Sequence, residues 1–146
     1  MYKSILIPID LEHVEMFPRA VEVALQLLDT DGGKIHSLYV DQAKAHGIAF
    51  AQLPKEITAQ AQQETKAVVH SLFKQHVPEA MRGSCHIRRG VVYDEILEEE
   101  KRVNPEVILI AAGKPGVSSY LLGSNAEKVL RHAQGSVFVI RDNHTW

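Results

Sequence analysis

The sequence predicts an α/β protein, a three-layer α/β/α sandwich around an open five-stranded parallel sheet. Five short runs rich in Ile, Val and Leu alternate with longer segments of helical periodicity, and this alternation requires right-handed crossovers between parallel strands. The runs Ile5–Ile9 and Val107–Ala112 are continuously apolar, as strands covered on both faces are. We therefore expect helices on both faces of the sheet, in a single domain spanning residues 1–146.

The first half of the chain begins with a strand, a helix and a second strand. Ser4–Ile9 is too short for a helix, and Pro8 falls at its end. Arg19–Leu28 carries the i, i+3, i+4, i+7 apolar stripe of an amphipathic helix, which begins near Pro18. The second strand is predicted at Lys34–Asp41.

A long second helix is predicted at Pro54–His76, with expected buried residues that include Ile57, Ala61, Val68, Leu72 and Phe73. The alternation then repeats, with a strand at Cys85–Arg89, a helix at Tyr93–Val103, a strand at Glu106–Ala112, a helix at Ser124–Ala133 and a strand at Ser136–Arg141. Ligands bind open parallel sheets beyond the carboxyl ends of the strands, where the strand order reverses. The candidate ligand-binding segments are therefore Pro8–Asp10 and Ala111–Ser124.

The charge balance argues against nucleic acid and membrane partners. Sixteen Lys and Arg against 18 Asp and Glu give a net charge of −2, which provides no basic surface for nucleic acid or an anionic bilayer. No apolar run approaches the roughly 18 residues that span a membrane, and Asp10 comes too early for a signal peptide. A single cysteine, Cys85, cannot form an internal disulfide. We expect a cytoplasmic protein with no nucleic-acid partner and no membrane association.

Two glycine-containing turns bracket the loop between the fourth strand and the last helix. Gly113-Lys114-Pro115-Gly116 follows the strand, and Gly123-Ser124-Asn125 opens the helix. Glycine lets the backbone approach a phosphate closely, and the first helical turn offers N–H groups to an anion. Two interpretations explain these residues equally well. The loop binds a phosphate, or the glycines serve turns and Ser124 or Asn125 is the N-cap of the helix. Neither a P-loop motif nor Gly-x-Gly-x-x-Gly after the first strand occurs, which argues against P-loop NTPases and NAD dehydrogenases.

Three segments resemble the universal stress protein family: Lys3–Asp10, Tyr120–Ala133 and Ser136–Arg141. The resemblance covers essentially the whole chain. It implies an open parallel five-stranded sheet of the Rossmann-like, adenine nucleotide alpha hydrolase-like type, and it implies dimers. The family contains members that bind ATP and members that do not. The short loop that includes Pro115 resembles the F/G-type branch of bacterial single-domain members.

The ATP-binding members share a signature of Gly, two residues, Gly, nine residues and then Gly-Ser or Gly-Thr. Gly123-Ser124 matches the final pair and Gly113 the second glycine, whereas Ile110 stands at the first. A one-residue gap instead sets Ala111 and Lys114 at the two glycine positions. The resemblance therefore favours ATP binding, with Mg²⁺. Because the loop departs from the glycine signature, the alternative is a dimeric interaction module that binds no nucleotide.

Residue by residue, the resemblance also implies the nucleotide contacts. Asp10 and the backbone of Pro8 and Ile9 would lie beside the adenosine, and Val40 against the adenine. Physically, a small apolar residue can pack on a base, and a carboxylate can accept hydrogen bonds from a sugar or an amino group. An acid at a helix entry and a solvated lysine are the alternative readings of Asp10 and Lys114. The residues implied to face the phosphates are Gly113, Lys114, Gly123, Ser124 and Asn125, and Ala111 completes the cofactor-binding set.

No catalytic or metal-binding set stands out elsewhere. The eight histidines show no paired ligand spacing, so no metal site is predicted. Asp94–Arg102 is interpreted as an amphipathic helix whose charged face is solvated and matches the helix dipole. We expect the nucleotide to be a regulatory or structural ligand in a stress response, with slow hydrolysis at most. A true enzyme of the adenine-nucleotide α/β group is a third reading, in which Asp10 is the one acid near the phosphates.

A homodimer through the final strand, Ser136–Arg141, is also predicted. If this strand closes one end of the sheet, its outer backbone N–H and C=O groups are available for pairing. Two copies meeting edge to edge across a two-fold axis would satisfy both edges, and the family resemblance implies the same contact.

Overall fold

The computed structural model describes residues 1–42, 54–112 and 124–141. Its strands are β1 (Ser4–Ile9), β2 (Lys34–Asp41), β3 (Arg82–Arg89), β4 (Val107–Ala111) and β5 (Ser136–Ile140). Its α-helices are α1 (Met16–Leu27), α2 (Lys55–His76), α3 (Val92–Val103) and α4 (Ser124–His132). The strands form one parallel sheet in the order β3-β2-β1-β4-β5. The strand order therefore reverses at β1, between β2 and β4.

Helices cover both faces of the sheet, as the continuous apolar runs predict. On one face, alternate residues of β1 and β4 pack against α1 and the last turns of α2. On the other face, Leu6, Ile108 and Ile110 pack against Val92 and Ile96 of α3, with Val129 of α4 nearby. Because strand side chains alternate between faces, continuous Ile and Leu runs supply both apolar layers at once. The predicted three-layer α/β/α sandwich is confirmed.

Helix α1 begins earlier than its apolar stripe predicts. It begins at Met16, so Pro18 lies at the third helical position instead of before the helix. Proline is tolerated there because the first N–H groups of a helix have no intrahelical acceptor. The other boundaries differ from the sequence prediction by a residue at most, except that β3 begins at Arg82 instead of Cys85.

The buried stripe of α2 differs from the predicted one. Val69 and Phe73 are its buried residues, whereas Ile57, Ala61 and Val68 are exposed, and the prediction of their burial is wrong. The helix packs on the outer strand β3 and on α1, so the sheet lies beneath only its last turns. No residue from 55 to 68 is buried.

The last strand, β5, lies at an outer position of the sheet and pairs with β4 along its length. Its residues alternate between exposed and partly buried, and Phe138 is 42% exposed. The tail at residues 142–146 lies outside the described residues. Within the described part of the chain, no helix has both the length and the apolar character to cross a membrane.

Candidate functional site

Three residues of the predicted nucleotide site come together at the carboxyl edge of the sheet. Asp10 directly follows β1, Val40 is the penultimate residue of β2, and Ala111 ends β4. These strands are parallel and adjacent, with β1 in the middle. Their carboxyl ends therefore meet at one edge, at the point where the strand order reverses, which is where open α/β sheets bind ligands.

Asp10 supplies a fixed carboxylate at this edge. Its side chain is 7% exposed, and its Oδ1 accepts a hydrogen bond from the backbone N–H of Glu12 at 2.9 Å. This bond caps the short 3₁₀ turn Leu11–His13 that follows β1. The capping role named as the alternative for Asp10 is thus present, and it holds the carboxylate at the end of the strand.

Buried apolar residues occupy the strand ends next to Asp10. Val40 is 2% exposed and packs with Val92 and Ile96, and Ala111 is also buried. Pro8 and Ile9 are buried as well. These residues, which come from both faces of the sheet, give its carboxyl edge an apolar floor, and the carboxylates of Asp10 and Asp41 both lie near Tyr39 at this edge.

The phosphate-side residues are described only in part. Helix α4 begins at Ser124, and Asn125 is half-buried in its first turn. Gly113, Lys114 and Gly123 lie outside the described residues. Because the chain leaves the sheet at the carboxyl end of β4 and β5 is parallel to it, the N-terminus of α4 lies at the same edge as Asp10. The N–H groups of a first helical turn favour an anion.

These groups fit an adenine nucleotide in chemistry. An apolar floor suits a base, a carboxylate suits ribose hydroxyls, and a helix N-terminus suits phosphate. Among residues 1–42, 54–112 and 124–141, no three His, Cys, Asp or Glu side chains are grouped as metal ligands.

A second polar cluster, which the sequence analysis did not identify, lies between α3 and β3. The Glu99 side chain is 0% exposed, so the prediction of a fully solvated charged face on this helix is wrong. Its Oε1 accepts hydrogen bonds from Arg88 Nε at 2.9 Å and Arg102 Nε at 3.0 Å. Its Oε2 accepts one from Arg102 Nη2 at 2.7 Å, and His86 Nδ1 lies 3.4 Å from the same oxygen.

The arginines determine the charge of Glu99. Burial acts to raise its pKa, but the hydrogen bonds from Arg102 and Arg88 outweigh burial and hold the pKa below its usual value. Glu99 is therefore a carboxylate at neutral pH. A signal for this cluster exists in the sequence, since Ser84, His86 and Arg88 alternate along one face of β3 and require a polar group opposite them.

His36 extends the cluster into β2. Its Nδ1 accepts a hydrogen bond from the backbone N–H of Ser84 at 2.9 Å, which requires the neutral ring with its proton on Nε2. Ser84 Oγ in turn accepts a hydrogen bond from Arg102 Nη2 at 2.9 Å. Burial and then the charge of Arg102 lower the pKa of His36. The cluster thus joins β2, β3 and α3 through charged and polar contacts.

Comparisons with known proteins place these features in context. A family model described as "Universal stress protein family" matches residues 1–141. Universal stress protein G of Shigella flexneri is 33% identical over 143 residues, which covers 97% of this chain and 100% of that protein. Universal stress protein G of Salmonella typhimurium is 31% identical over the same shares of the two chains.

Several solved structures have the same fold. A universal stress protein from Burkholderia pseudomallei superposes with a TM-score of 0.66 at 18% identity, covering 95% of this chain and 96% of that one. A universal stress protein in complex with cAMP gives 0.59 at 17% identity over 96% and 97%. One from Archaeoglobus fulgidus in complex with dAMP gives 0.56 at 17% identity over 95% and 98%. At these identities the structures bear on the fold alone.

Proposed function

Because the chain belongs to the universal stress protein family, we propose that it binds an adenine nucleotide, ATP with Mg²⁺, at the carboxyl edge of its sheet. The nucleotide is a regulatory or structural ligand in a cytoplasmic stress response. The convergence of Asp10, Val40 and the N-terminus of α4 at the reversal of strand order carries this proposal. The relatives in complex with cAMP and dAMP support it, because both ligands contain adenine.

Each part of the edge has a separate role in this proposal. The apolar floor around Val40 packs against the base, and the Asp10 carboxylate accepts hydrogen bonds from ribose hydroxyls. Ser124 and Asn125 present the first turn of α4 to the phosphates, with Gly113, Lys114 and Gly123 completing the loop. Mg²⁺, when bound with the nucleotide, neutralises phosphate charge.

The direct test is the nucleotide content and affinity of the purified protein. Denatured protein is assayed for adenine nucleotide by absorbance and chromatography, and ATP with Mg²⁺ is titrated by calorimetry. Binding is also expected to stabilise the fold, by about 2.7 kcal/mol at a ligand concentration of 100 Kd. If millimolar ATP gives neither heat nor a rise in Tm, nucleotide binding is refuted and the interaction-module reading is favoured.

Variants locate the ligand within the edge. Gly123→Val should abolish ATP binding, because a branched side chain would occupy the space of a phosphate, and Ser124→Ala should cost about 1 kcal/mol if it removes one hydrogen bond. Lys114→Gln should weaken ATP more than AMP, whereas the matched variant Lys55→Gln, at the exposed start of α2, should change neither. Unaltered ATP affinity in a natively folded Gly123→Val protein would contradict this placement of the phosphates.

A homodimer through β5 is the second proposal, and the strand geometry supports it. The N–H of Ser136 donates to Glu106 and the C=O of Ile140 accepts from Ala112, so these residues point their backbone groups toward β4. Successive residues of a strand point their backbone groups to opposite sides within the sheet, so the N–H groups of Val137 and Val139 point outward. Such an edge is suited to pairing with a second copy.

Sedimentation tests the dimer. The unaltered protein should sediment as a species of twice 16.3 kDa at tens of micromolar protein, and Val139→Pro should shift it toward monomer because it removes an outward N–H. Phe138→Pro is the matched control, since it removes an inward N–H and should destabilise the monomer itself. A single species near 16 kDa for the unaltered protein would exclude this interface.

A further inference from the structure

A groove of about 780 Å³ lies between the first half of α2 and the outer strand β3. It exists because no residue of α2 from 55 to 68 is buried, so the helix leaves the sheet edge uncovered there. A shallower concavity of about 600 Å³ continues along α2 from His70 to Lys74. The groove lies on the face of the sheet that α1 and α2 cover, next to Cys85 and Ile87, whereas Val40 packs on the opposite face against α3.

Cationic and amide side chains from two elements line the groove. Gln62, Lys66 and His70 are spaced four residues apart on α2, so they form one column on the helix surface. Arg89 of β3 also lines the groove, as does His86, whose ring Nδ1 lies 3.4 Å from Glu99 on the other face of the sheet. Helix and strand thus present nitrogen donors to the same space.

Asp41 of β2 is the register partner of Arg89, but it does not line the groove. Among the described residues, no Asp or Glu lines the groove or its continuation, and neither Lys66 nor Arg89 forms an ion pair. The buried carboxylate of Glu99 lies behind His86 but is already held by Arg88 and Arg102. The groove therefore has a net positive charge.

Two further titratable groups line the groove, and His70 is the one whose pKa responds to the nearby lysines. Burial lowers the pKa of His70, and the charges of Lys66, Lys74 and His86 lower it further. Burial, with a smaller effect of Glu99, raises the pKa of the Cys85 thiol to about 12, so the thiol contributes no negative charge at neutral pH. An anion in the groove would reverse the electrostatic part of the effect on His70.

We propose that this groove is a second ligand site, which binds a small tetrahedral oxyanion with two negative charges, of the phosphate type. The Arg89 guanidinium can bind two oxygens at once, and the Lys66 ammonium supplies a compact second charge. The Gln62 amide donates a further hydrogen bond, and His70, one helical turn from Lys66 on the other side, is close enough for its pKa to respond to the charge of the anion. The proposal does not depend on nucleotide binding beside Asp10.

The probe is sodium sulfate, which stays a dianion across the titration of His70. Imidazole resonances are followed by NMR from pH 5 to 8 in sulfate and in sodium chloride of equal ionic strength, with His70→Gln assigning the signal. We expect a higher pKa of His70 in sulfate than in chloride. Equal values in the two salts would overturn the proposal.

Variants separate this groove from the nucleotide edge. The double variant Lys66→Gln/Arg89→Gln should weaken sulfate binding by at least about tenfold, and both residues are exposed, so the fold should be unaffected. The matched double variant Lys55→Gln/Arg131→Gln removes the same charges elsewhere and should leave binding unchanged. Gly123→Val should also bind sulfate normally. An equal loss in the matched variant, or a loss confined to Gly123→Val, would refute the site.

Discussion

The buried carboxylate of Glu99 provides the sharpest test of the energetics. Glu99→Gln keeps the size of the side chain but removes its charge and replaces one acceptor oxygen with a donor NH₂ group. Arg88 and Arg102 donate three hydrogen bonds of 2.7 to 3.0 Å to the two carboxylate oxygens. The variant therefore leaves two guanidinium groups facing an amide that can accept from only one side.

The expected cost is about 3 kcal/mol. Removing one member of a buried ion pair typically costs about 3 to 5 kcal/mol, because the remaining charge is left without a partner. The side chains of Arg102 and Arg88 are 40% and 27% exposed, so both can turn partly toward water, which places the cost at the lower end. For a chain of this length the loss corresponds to a fall in Tm of about 10 °C.

Urea unfolding followed by circular dichroism, at one protein concentration, measures the free energy of unfolding. The control is the neighbouring Glu98→Gln, which removes an exposed pair with Lys101 at 3.2 Å and should cost less than about 0.5 kcal/mol. Because the folded pKa of Glu99 is lowered, its stabilisation is present above its usual pKa and is lost as the pH falls through the folded value.

The difference between the unaltered protein and Glu99→Gln should thus be largest near pH 7 and shrink in acid. A loss below about 0.5 kcal/mol at pH 7, similar to that expected of the Glu98 control, would refute the buried ion pair. A difference that stays constant between pH 7 and pH 3 would also refute it, because the carboxylate charge would then contribute nothing.

Three further variants test individual contacts. The lowered pKa of His36 means that the unfolded state takes up a proton first as the pH falls below about 6.5, so the free energy of unfolding should decline there. His36→Asn should reduce the slope of the unfolding free energy against pH, measured in urea titrations. An unchanged slope would exclude a contribution of His36. Among the described residues, the buried Ser37 hydroxyl has no hydrogen-bond partner, so Ser37→Ala should raise the unfolding free energy by about 1 kcal/mol. A loss of stability would show that the hydroxyl is bonded. A Cβ at Gly83 would overlap the His36 ring, so Gly83→Ala should lower the free energy of unfolding by about 1 to 3 kcal/mol. An unchanged Tm in thermal unfolding would mean that the ring moves freely.

The order of elements and the family could both be predicted from sequence. Each strand and helix of this chain carries its own periodicity, and short crossovers allow few topologies. The family resemblance drawn from Lys3–Asp10 and the last helix and strand is confirmed by the family match. The position of Asp10 and Val40 at one edge follows from sequence because parallel strands end together, whereas their contacts with adenosine stay a prediction.

The sequence could not predict which face of α2 is buried. Two apolar stripes run along this helix, one with Ile57 and Val68 and one with Val69 and Phe73, and local periodicity does not say which stripe faces the sheet. The choice depends on where the helix lies over β3. The second stripe is buried because it continues into Val77, which is buried as well.

The burial of Glu99 was hidden for a different reason. Glu98, Glu99 and Glu100 follow one another in the chain, and one α-helical turn spans about 3.6 residues, so their side chains point in different directions. The partners of Glu99 on β3 and those of Glu100 near β5 are distant in sequence, by 11 and 34 or 35 residues respectively. Charge runs alone therefore could not identify which acid is buried.

Adjacent carboxylates on α3 accept hydrogen bonds from residues at the two opposite edges of the sheet. Glu99 bonds to Arg88 of β3, while Glu100 accepts from the backbone N–H groups of Gln134 and Gly135, just before β5, at 3.0 to 3.1 Å. The two outermost strands are thus connected through one helical turn. If α3 opened locally, both strands would lose a buried partner together, so their amide hydrogens should exchange as one cooperative unit despite lying at opposite ends of the sheet.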